Sequence, residues 1–138
     1  MLTSRNKSAD GMTLIELMIV VTVVGILLVS AAPSYRQYLL RVHRTEAIRM
    51  LLLASMCQER ISASQGSYDT GRCRSGLEQQ RYQLEFLPEN TQGKTYVAMA
   101  VPQGAQRTDL CGSLSLDQSG ARQITGTNIS KIKCWNGR

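Results

Sequence analysis

The amino-acid sequence predicts an α+β fold, in which one long N-terminal α-helix packs on a small antiparallel β-sheet. The first observation is an apolar run, because residues 17–35 are 19 consecutive positions without a charged side chain. The second is that apolar residues then recur at helical spacing as far as about residue 64. The third is the remainder of the chain, where short segments of alternating apolar and polar residues lie between turns. We expect a helix that is transmembrane in its first half and amphipathic in its second.

The composition favours one domain and argues against an enzyme. A chain of 138 residues with 43% hydrophobic and 19% charged residues is typical of a single ordinary domain. His43 is the only histidine, and the patterns GxGxxG, GxxxxGKS/T and HExxH do not occur. We therefore predict no catalytic residue, no cofactor and no metal, and we interpret His43 as a partly packed side chain. The net charge of +6 is compatible with an anionic partner, such as a membrane surface or nucleic acid, but does not identify it.

The N-terminal segment is predicted to cross a membrane once. A short leader carries Arg5 and Lys7, and the apolar run that follows has the roughly 20 residues that span a hydrocarbon core of about 30 Å. Since basic residues mark the cytoplasmic end of a span, we expect everything after Pro33 on the opposite side. Counted from Met12, where the apolar residues begin, Glu16 stands four residues inside the predicted span, where a carboxylate costs roughly 2.5–3.5 kcal/mol. It therefore needs a cationic partner or a proton.

The second half of the helix, from Tyr35 to about Ser64, is predicted to bury one stripe. The apolar residues that keep to offsets of three and four are Leu40, Ala47, Met50, Leu51, Ala54, Cys57 and Ile61. Residues 65–80 are rich in glycine and polar residues, and we expect them to connect the helix to the sheet.

Four strands are predicted beyond that loop. Tyr82, Leu84 and Phe86 alternate with polar residues, and residues 95–101 have the composition of a more buried strand. Residues 113–116 alternate serine and leucine, and residues 117–120 (Asp-Gln-Ser-Gly) predict a turn into a short strand at 122–125. The resulting meander needs the helix stripe to cover its apolar face.

Four widely spaced cysteines form no CxxC pair: Cys57, Cys73, Cys111 and Cys134. With a single histidine in the sequence, a zinc site of the usual spacing is not expected. An even number of cysteines beyond a membrane-targeting segment favours two disulfides in an oxidising compartment. Three pairings remain open on this count alone.

Residues 11–16, Gly-Met-Thr-Leu-Ile-Glu, resemble the processing site of type IV prepilins, since they follow a basic leader and open a long apolar helix. The resemblance implies that prepilin peptidase cuts between Gly11 and Met12 and that Met12 is N-methylated. It also implies that Glu16 pairs with the terminal amine of a neighbouring subunit, because these two charges are costly to bury singly. The family usually has phenylalanine at the position of Met12. The implied organisation is a leader at 1–11, a transmembrane and assembly helix at 12–34 and a periplasmic head domain at 35–138.

Gly25 and Pro33 fall where members of that family carry a helix-weakening glycine and proline. Proline lacks an N–H group and crowds the preceding turn, and glycine lowers helix propensity by about 1 kcal/mol relative to alanine. The resemblance implies that the stretch between them loses helicity in a filament. In the isolated subunit we expect a kinked but continuous helix.

The C-terminal part resembles PilE-type minor pilins, in residues 111–122 and in the final cysteine and tryptophan. The resemblance implies a disulfide Cys111–Cys134 that closes the C-terminal loop. With it comes a second disulfide, Cys57–Cys73, between the helix and the connecting loop.

A minor pilin is therefore implied, a structural subunit of the type IV pilus or of its assembly-priming complex that serves pilus biogenesis, twitching motility or adhesion. The implied partners are other major and minor pilins, prepilin peptidase, the inner-membrane pilus assembly machinery and membrane lipid. Such a subunit resides in the inner membrane with a periplasmic head before assembly, and in the pilus at the cell surface afterwards.

Two alternatives remain open. A DNA-receptor pilin, similar to the ComP-type proteins of natural transformation, would bind phosphate through cations and stack a base on an aromatic ring. Its candidate DNA contacts are Arg122, Lys131, Lys133, Trp135 and Arg138. We favour the interpretation of this tryptophan as a core residue beside a disulfide, with solvated cations around it. A major pilin or a type II secretion pseudopilin shares the N-terminal motif, but the PilE-like C-terminal segment argues against it.

Overall fold

The computed structural model describes residues 11–74, 76–77, 79–87 and 93–136. In chain order its elements are helix α1 (Leu14–Gln65), strands β1 (Tyr82–Leu87) and β2 (Val97–Pro102), a 3-10 helix (Gly104–Thr108), strands β3 (Leu114–Asp117) and β4 (Arg122–Ile124), and helix α2 (Lys131–Trp135). Positions 1–10 of the predicted leader and the candidate DNA contact Arg138 lie outside the described residues.

The chain divides into two compact units, residues 1–36 and residues 37–138. In the first unit, α1 runs without a break through Gly25 and Pro33, which is the state expected for an isolated subunit. The apolar side chains of this unit are exposed, by as much as 77% at Leu14 and Val29. Helix α1 is long and apolar enough to cross a membrane, and none of its most apolar stretch is buried.

The second unit contains a four-stranded antiparallel sheet in the order β1-β2-β3-β4, so the predicted meander is confirmed. Strands β1 and β2 pair along their whole length, from Tyr82 opposite Pro102 to Leu87 opposite Val97. Strand β4 is short and pairs only with β3.

The turn between β3 and β4 is the predicted one. The Asp117 carboxylate accepts hydrogen bonds from the Ser119 hydroxyl and from the N–H groups of Ser119 and Ala121. These bonds favour the ionised form and lower the pKa of Asp117. Gly120 has a φ of 79°, a conformation that glycine adopts without strain.

The hydrophobic core lies between the second half of α1 and one face of the sheet. The helix contributes Ala47, Met50, Leu51 and Ala54, each at most 1% exposed. Buried and more exposed residues alternate along β1, β2 and β3, as the two-residue period of a strand requires. The inward-facing residues of these strands are Tyr82, Leu84, Phe86, Ala98, Ala100, Leu114 and Leu116.

The buried stripe of α1 differs from the predicted one towards both ends. Leu40, Cys57 and Ile61 are only half-buried, whereas the polar Arg44 and Gln58 are buried. Both polar residues lie on the stripe by helical spacing, and each is buried because its side chain hydrogen-bonds to a segment that folds over the helix. The 3-10 helix and α2 are two further elements that the sequence pattern did not predict.

Candidate assembly helix and candidate nucleic-acid interface

The first turn of α1 is capped by Thr13. Its hydroxyl accepts a hydrogen bond from the N–H of Glu16 at 3.3 Å, and its carbonyl accepts one from the N–H of Leu17 at 3.2 Å. The Thr-x-x-Glu spacing is that of a capping box, which is readable in the sequence. A carboxylate in the first turn is also favoured by the partial positive charge of the helix N-terminus. Thr13 therefore holds Glu16 within one turn of Met12, the predicted mature N-terminus.

Two hydroxyl groups in the apolar part of α1 find partners within the helix. Thr22 donates to the carbonyl of Met18 at 2.7 Å, and Ser30 donates to the carbonyl of Leu27 at 2.9 Å. A helix in hydrocarbon must satisfy such groups internally, because lipid tails offer no hydrogen-bond partner. The segment is therefore compatible with lipid and with the surface of another apolar helix.

Close packing does not explain Gly25, since a Cβ built there meets no described atom within 4 Å outside the backbone of its own helix. Its cost in helix propensity, about 1 kcal/mol relative to alanine, is therefore not balanced by close packing. Pro33 lies inside α1 and cannot donate the hydrogen bond that the carbonyl four residues earlier would accept. Loss of helicity between the two residues stays a prediction.

A buried ion pair joins α1 to the segment before β3. Arg44 donates from Nε to Oδ2 of Asp109 at 2.9 Å and from Nη2 to Oδ1 at 2.6 Å. The two side chains are only 7% and 1% exposed. The Gln106 amide and the N–H of Cys111 donate to the same carboxylate at 3.0 and 3.1 Å. Because the Asp109 charge meets a guanidinium and further donors, this buried pair is well compensated.

Tyr82 completes the buried polar cluster. Its hydroxyl accepts a hydrogen bond from Nε2 of Gln106 at 3.1 Å and donates to Oδ2 of Asp109 at 3.4 Å. Burial, followed by the negative charge of Asp109, raises the pKa of Tyr82 to about 12. The Gln106 amide also donates to the carbonyl of Leu40 at 3.0 Å. The cluster therefore ties α1, β1 and the 3-10 helix together.

Two disulfides hold loops on the second unit, Cys57–Cys73 and Cys111–Cys134, which are the pairs that the resemblance implies. The buried Gln58 reinforces the first. Its amide donates to the carbonyl of Asp69 at 2.9 Å and accepts from the N–H of Asp69 at 3.1 Å. The loop after α1 is thus held on the helix by a covalent bond and by hydrogen bonds.

The candidate DNA contacts separate in the structure. Arg122 on β4 and Lys131 at the start of α2 line one shallow pocket together with Trp135. Lys133 is exposed but does not line that pocket, because residues two apart on a helix point to different faces. We call the pocket formed by Arg122, Lys131, Ile132, Trp135 and Asn136 the cationic pocket.

Trp135 is a core residue and does not offer its ring for base stacking. It is 7% exposed, and its indole N–H donates to the carbonyl of Gln123 at 3.2 Å. The guanidinium carbon of Arg122 lies 5.1 Å from the ring centroid, a cation–π contact that orients the arginine. Ile132, 69% exposed, is the apolar side chain that the cationic pocket presents instead.

One face of α1 in the second unit is not covered by the sheet. Leu52, Leu53 and Met56 are 41%, 39% and 63% exposed there. Leu53 and Met56 line a groove together with the Cys57–Cys73 disulfide. This apolar surface is open to another protein.

His43 lies on α1 with its side chain 26% exposed and its Nδ1 3.1 Å from Oε2 of Glu46. It is thus the partly packed side chain that we expected. Within the described residues, no group of three or more histidine, cysteine, aspartate or glutamate side chains is placed to hold a metal ion.

Two protein-family models match the chain. The model described as "Type IV minor pilin ComP, DNA uptake sequence receptor" matches residues 33–115, which is more than half of the chain. The model described as "Prokaryotic N-terminal methylation motif" matches residues 6–32, which include the Gly11–Glu16 segment.

The curated relatives match over less than a third of this chain. The chain is 50% identical over 42 residues to a fimbrial protein of Pseudomonas aeruginosa, and 51% identical over 43 residues to the type IV major pilin protein PilE1 of Neisseria gonorrhoeae. These matches cover 30% and 31% of this chain. The chain spans about a quarter of the length of these relatives, 27% and 26%.

Solved structures match over the larger part of the chain. A type IV pilin from Shewanella oneidensis superposes with a TM-score of 0.53 at 26% identity, covering 66% of this chain and 98% of that one. The non-core minor pilin PilV of Neisseria meningitidis superposes with a TM-score of 0.55 at 19% identity, covering 68% and 94%. The second likeness concerns the fold alone.

Proposed function

This chain belongs to the type IV minor pilin family, and from that premise we propose that it is a structural subunit built into the type IV pilus or into its assembly-priming complex. Prepilin peptidase removes residues 1–11, Met12 is methylated, and α1 anchors the subunit in the inner membrane with the second unit in the periplasm. The subunit then leaves the membrane and joins a fibre of other major and minor pilins.

The observation that carries this proposal is an apolar helix with a single carboxylate residue in its first turn. The apolar side chains of residues 12–29 are exposed, so they need lipid or other helices around them. Glu16 lies at the start of that surface, where its backbone N–H donates to the Thr13 hydroxyl. Burial of the surface between subunits removes water from the carboxylate, which then requires a cation. Cleavage after Gly11 supplies one, since it creates an ammonium group at Met12.

Glu16 provides the test of assembly. We expect the Glu16→Gln variant to insert into the membrane and to be cleaved, yet to be depleted at least tenfold from pili sheared off the cells. Glu59→Gln is the matched control, because Glu59 is an exposed carboxylate on the same helix within the second unit. Normal amounts of the Glu16→Gln variant in sheared pili would contradict the proposed pairing. The intact mass of the purified subunit checks cleavage and methylation independently.

A second candidate function is DNA reception. It is favoured by the family model that matches residues 33–115, which describes a DNA uptake sequence receptor, and by the presence of both Arg122 and Lys131 in the cationic pocket. Two exposed cations beside an exposed isoleucine can hold backbone phosphate and contact a base or sugar edge. Stacking on Trp135 is not part of this proposal.

DNA binding by the full chain in detergent micelles, titrated at several salt concentrations, tests the second function. Each phosphate contact contributes about 0.9 to the slope of log affinity against log salt concentration for duplex DNA. We expect Arg122→Gln with Lys131→Gln to lower that slope by about 2 and to weaken binding. Lys133→Gln is the matched control, an exposed lysine of α2 outside the pocket. Identical slopes for the wild type and the pocket variant would exclude this surface as the DNA site.

A further inference from the structure

Leu110 is the most exposed large apolar side chain among the described residues of the second unit, at 76%. It stands at the tip of a tight turn, where the N–H of Gly112 donates to the carbonyl of Asp109 at 3.0 Å. Gly112 has a φ of 63°, which suits glycine. We call residues 109–112 the Leu110 turn.

The Leu110 turn is held rigidly on both sides of the leucine. Asp109 is bound by Arg44 in the buried ion pair, and Cys111 is fully buried in the disulfide with Cys134. Behind the turn, Gly126 packs so closely that a Cβ there would overlap the carbonyl oxygen of Leu110. The backbone of the turn is therefore closely packed, and Leu110 presents an exposed apolar side chain to its surroundings.

The turn lies beside the first residues of the second unit. Leu110 lines one pocket with Gln37, Leu40 and Arg41 of α1. Gln37 follows Tyr35, the last residue of the uncharged run, by two positions in the sequence. The Leu110 turn therefore lies beside the first residue of the second unit, which follows the end of the uncharged run by two positions in the chain.

Arg41 of this pocket and Tyr38, three residues before it on α1, have the composition of a membrane–water interface. Tyr38 is 61% exposed, and Arg41 is exposed and forms no ion pair with any described residue. Tyrosine is enriched at the level of lipid headgroups, and arginine extends its cation to lipid phosphate while its stem contacts apolar groups. Residues 37–138 carry 13 lysine and arginine residues against eight aspartate and glutamate residues, a net charge of +5, so an anionic surface attracts this unit and a second copy of it is repelled.

We propose that the Leu110 turn, with Tyr38 and Arg41, docks on the periplasmic surface of an anionic bilayer. Leu110 enters the boundary between headgroups and acyl chains, and Arg41 binds lipid phosphate. The contact supports the head on the membrane before assembly and must be released when the subunit enters a fibre. This docking proposal depends on the proposed function in one respect, which is the insertion of α1 into the membrane.

Tryptophan fluorescence of the full chain in vesicles tests this docking. Leu110→Trp introduces a reporter at an exposed position, and Leu87→Trp is the matched control. Leu87 is 40% exposed and lies at the far end of β1 from Tyr82, which contacts Asp109, about 17 Å away along the strand. Both variants retain the buried Trp135, whose emission is subtracted with the wild-type spectrum. The vesicles contain phosphatidylethanolamine and phosphatidylglycerol, with or without lipids brominated in the acyl chains.

We expect the emission from position 110 to shift to the blue and to be quenched by the brominated lipids at least threefold more strongly than that from position 87. Arg41→Gln, or replacement of phosphatidylglycerol by phosphatidylcholine, is expected to weaken this quenching. Water-like, unquenched emission at position 110 in vesicles overturns the proposal. The same holds if that emission changes only when further pilins are added, because the turn is then a subunit contact. Since the vesicles hold this chain alone, a negative result leaves the sheared-pilus assay of Glu16 unaffected, and failure of that assay leaves the vesicle result standing.

Discussion

Replacement of Arg44 by methionine is expected to destabilise the second unit strongly. The change removes the cation that faces the Asp109 carboxylate, which is 1% exposed in the wild type. Removing one partner of a buried ion pair typically costs about 3–5 kcal/mol, because the remaining charge is buried without compensation. Asp109 keeps its hydrogen bonds from Gln106 and from the N–H of Cys111, so we expect the lower end, about 3 kcal/mol. That is a large part of the 5–15 kcal/mol that stabilises an ordinary domain.

Urea unfolding of the full chain in detergent micelles measures this loss, with the emission of the buried Trp135 as the signal and the disulfides kept intact. With a denaturant slope of about 1–2 kcal/mol per molar urea, the midpoint should fall by about 1.5–3 M. Arg49→Met is the matched control, since Arg49 is exposed on the same helix and its loss should cost under about 0.5 kcal/mol. Adding Asp109→Leu to Arg44→Met should recover part of the loss, because it removes the uncompensated charge. If the unfolding midpoint of Arg44→Met lies within about 0.5 M urea of the control, this account of the buried pair is refuted.

Further predictions concern the same unit. Burial raises the pKa of Tyr82 to about 12, above its value near 10 in the unfolded chain. The stabilisation that follows from this difference is fully present below pH 10. As the pH rises from 10 to 12, the free energy of unfolding falls by roughly 3 kcal/mol. Tyr82→Phe should flatten this part of the stability–pH curve in urea titrations, and parallel curves would contradict the assignment. Replacing both Cys57 and Cys73 by serine should cost about 3 kcal/mol for a loop of this length, and a midpoint equal to that of the wild type would argue against it. Gly126→Ala should prevent the native turn, because its Cβ overlaps the Leu110 carbonyl oxygen. Wild-type yields of protein with both disulfides formed would exclude that clash.

The elements with strong periodicity could be predicted from the sequence. The uncharged run and the apolar stripe specify α1, and alternating residues specify the strands, because these patterns are local and long enough to be distinctive. Helix α2 could not be predicted in the same way. A helix of five residues is too short to be stable alone, so it depends on the Cys111–Cys134 disulfide and on burial of Trp135, which are tertiary contacts.

The buried polar residues illustrate a second limit. Arg44 lies on the helical stripe, but a charged residue at such a position is buried only if a partner meets it. Its partner, Asp109, is 65 residues away, and nothing local connects the two. The burial of Gln58 was equally unpredictable, because its partner is the backbone of Asp69 in the loop after α1.

The candidate nucleic-acid interface was only partly predictable. The sequence places Arg122, Lys131, Lys133 and Trp135 near one end of the chain, but their grouping depends on α2 and on the position of β4. Once α2 is known, the two-residue spacing of the lysines separates them onto different faces. The stacking of Arg122 on the buried Trp135 required the tertiary structure.

The amount of this chain in pili sheared from cells tests the central claim most directly. Quantitative mass spectrometry of the sheared fibres, normalised to the major pilin, measures it together with the cleaved and methylated N-terminal peptide that begins at Met12. The account predicts that the processed chain is present in the fibres, at far fewer copies than the major pilin. A chain found only in the membrane fraction of cells that carry abundant pili, or found in fibres with residues 1–11 still attached, would contradict it.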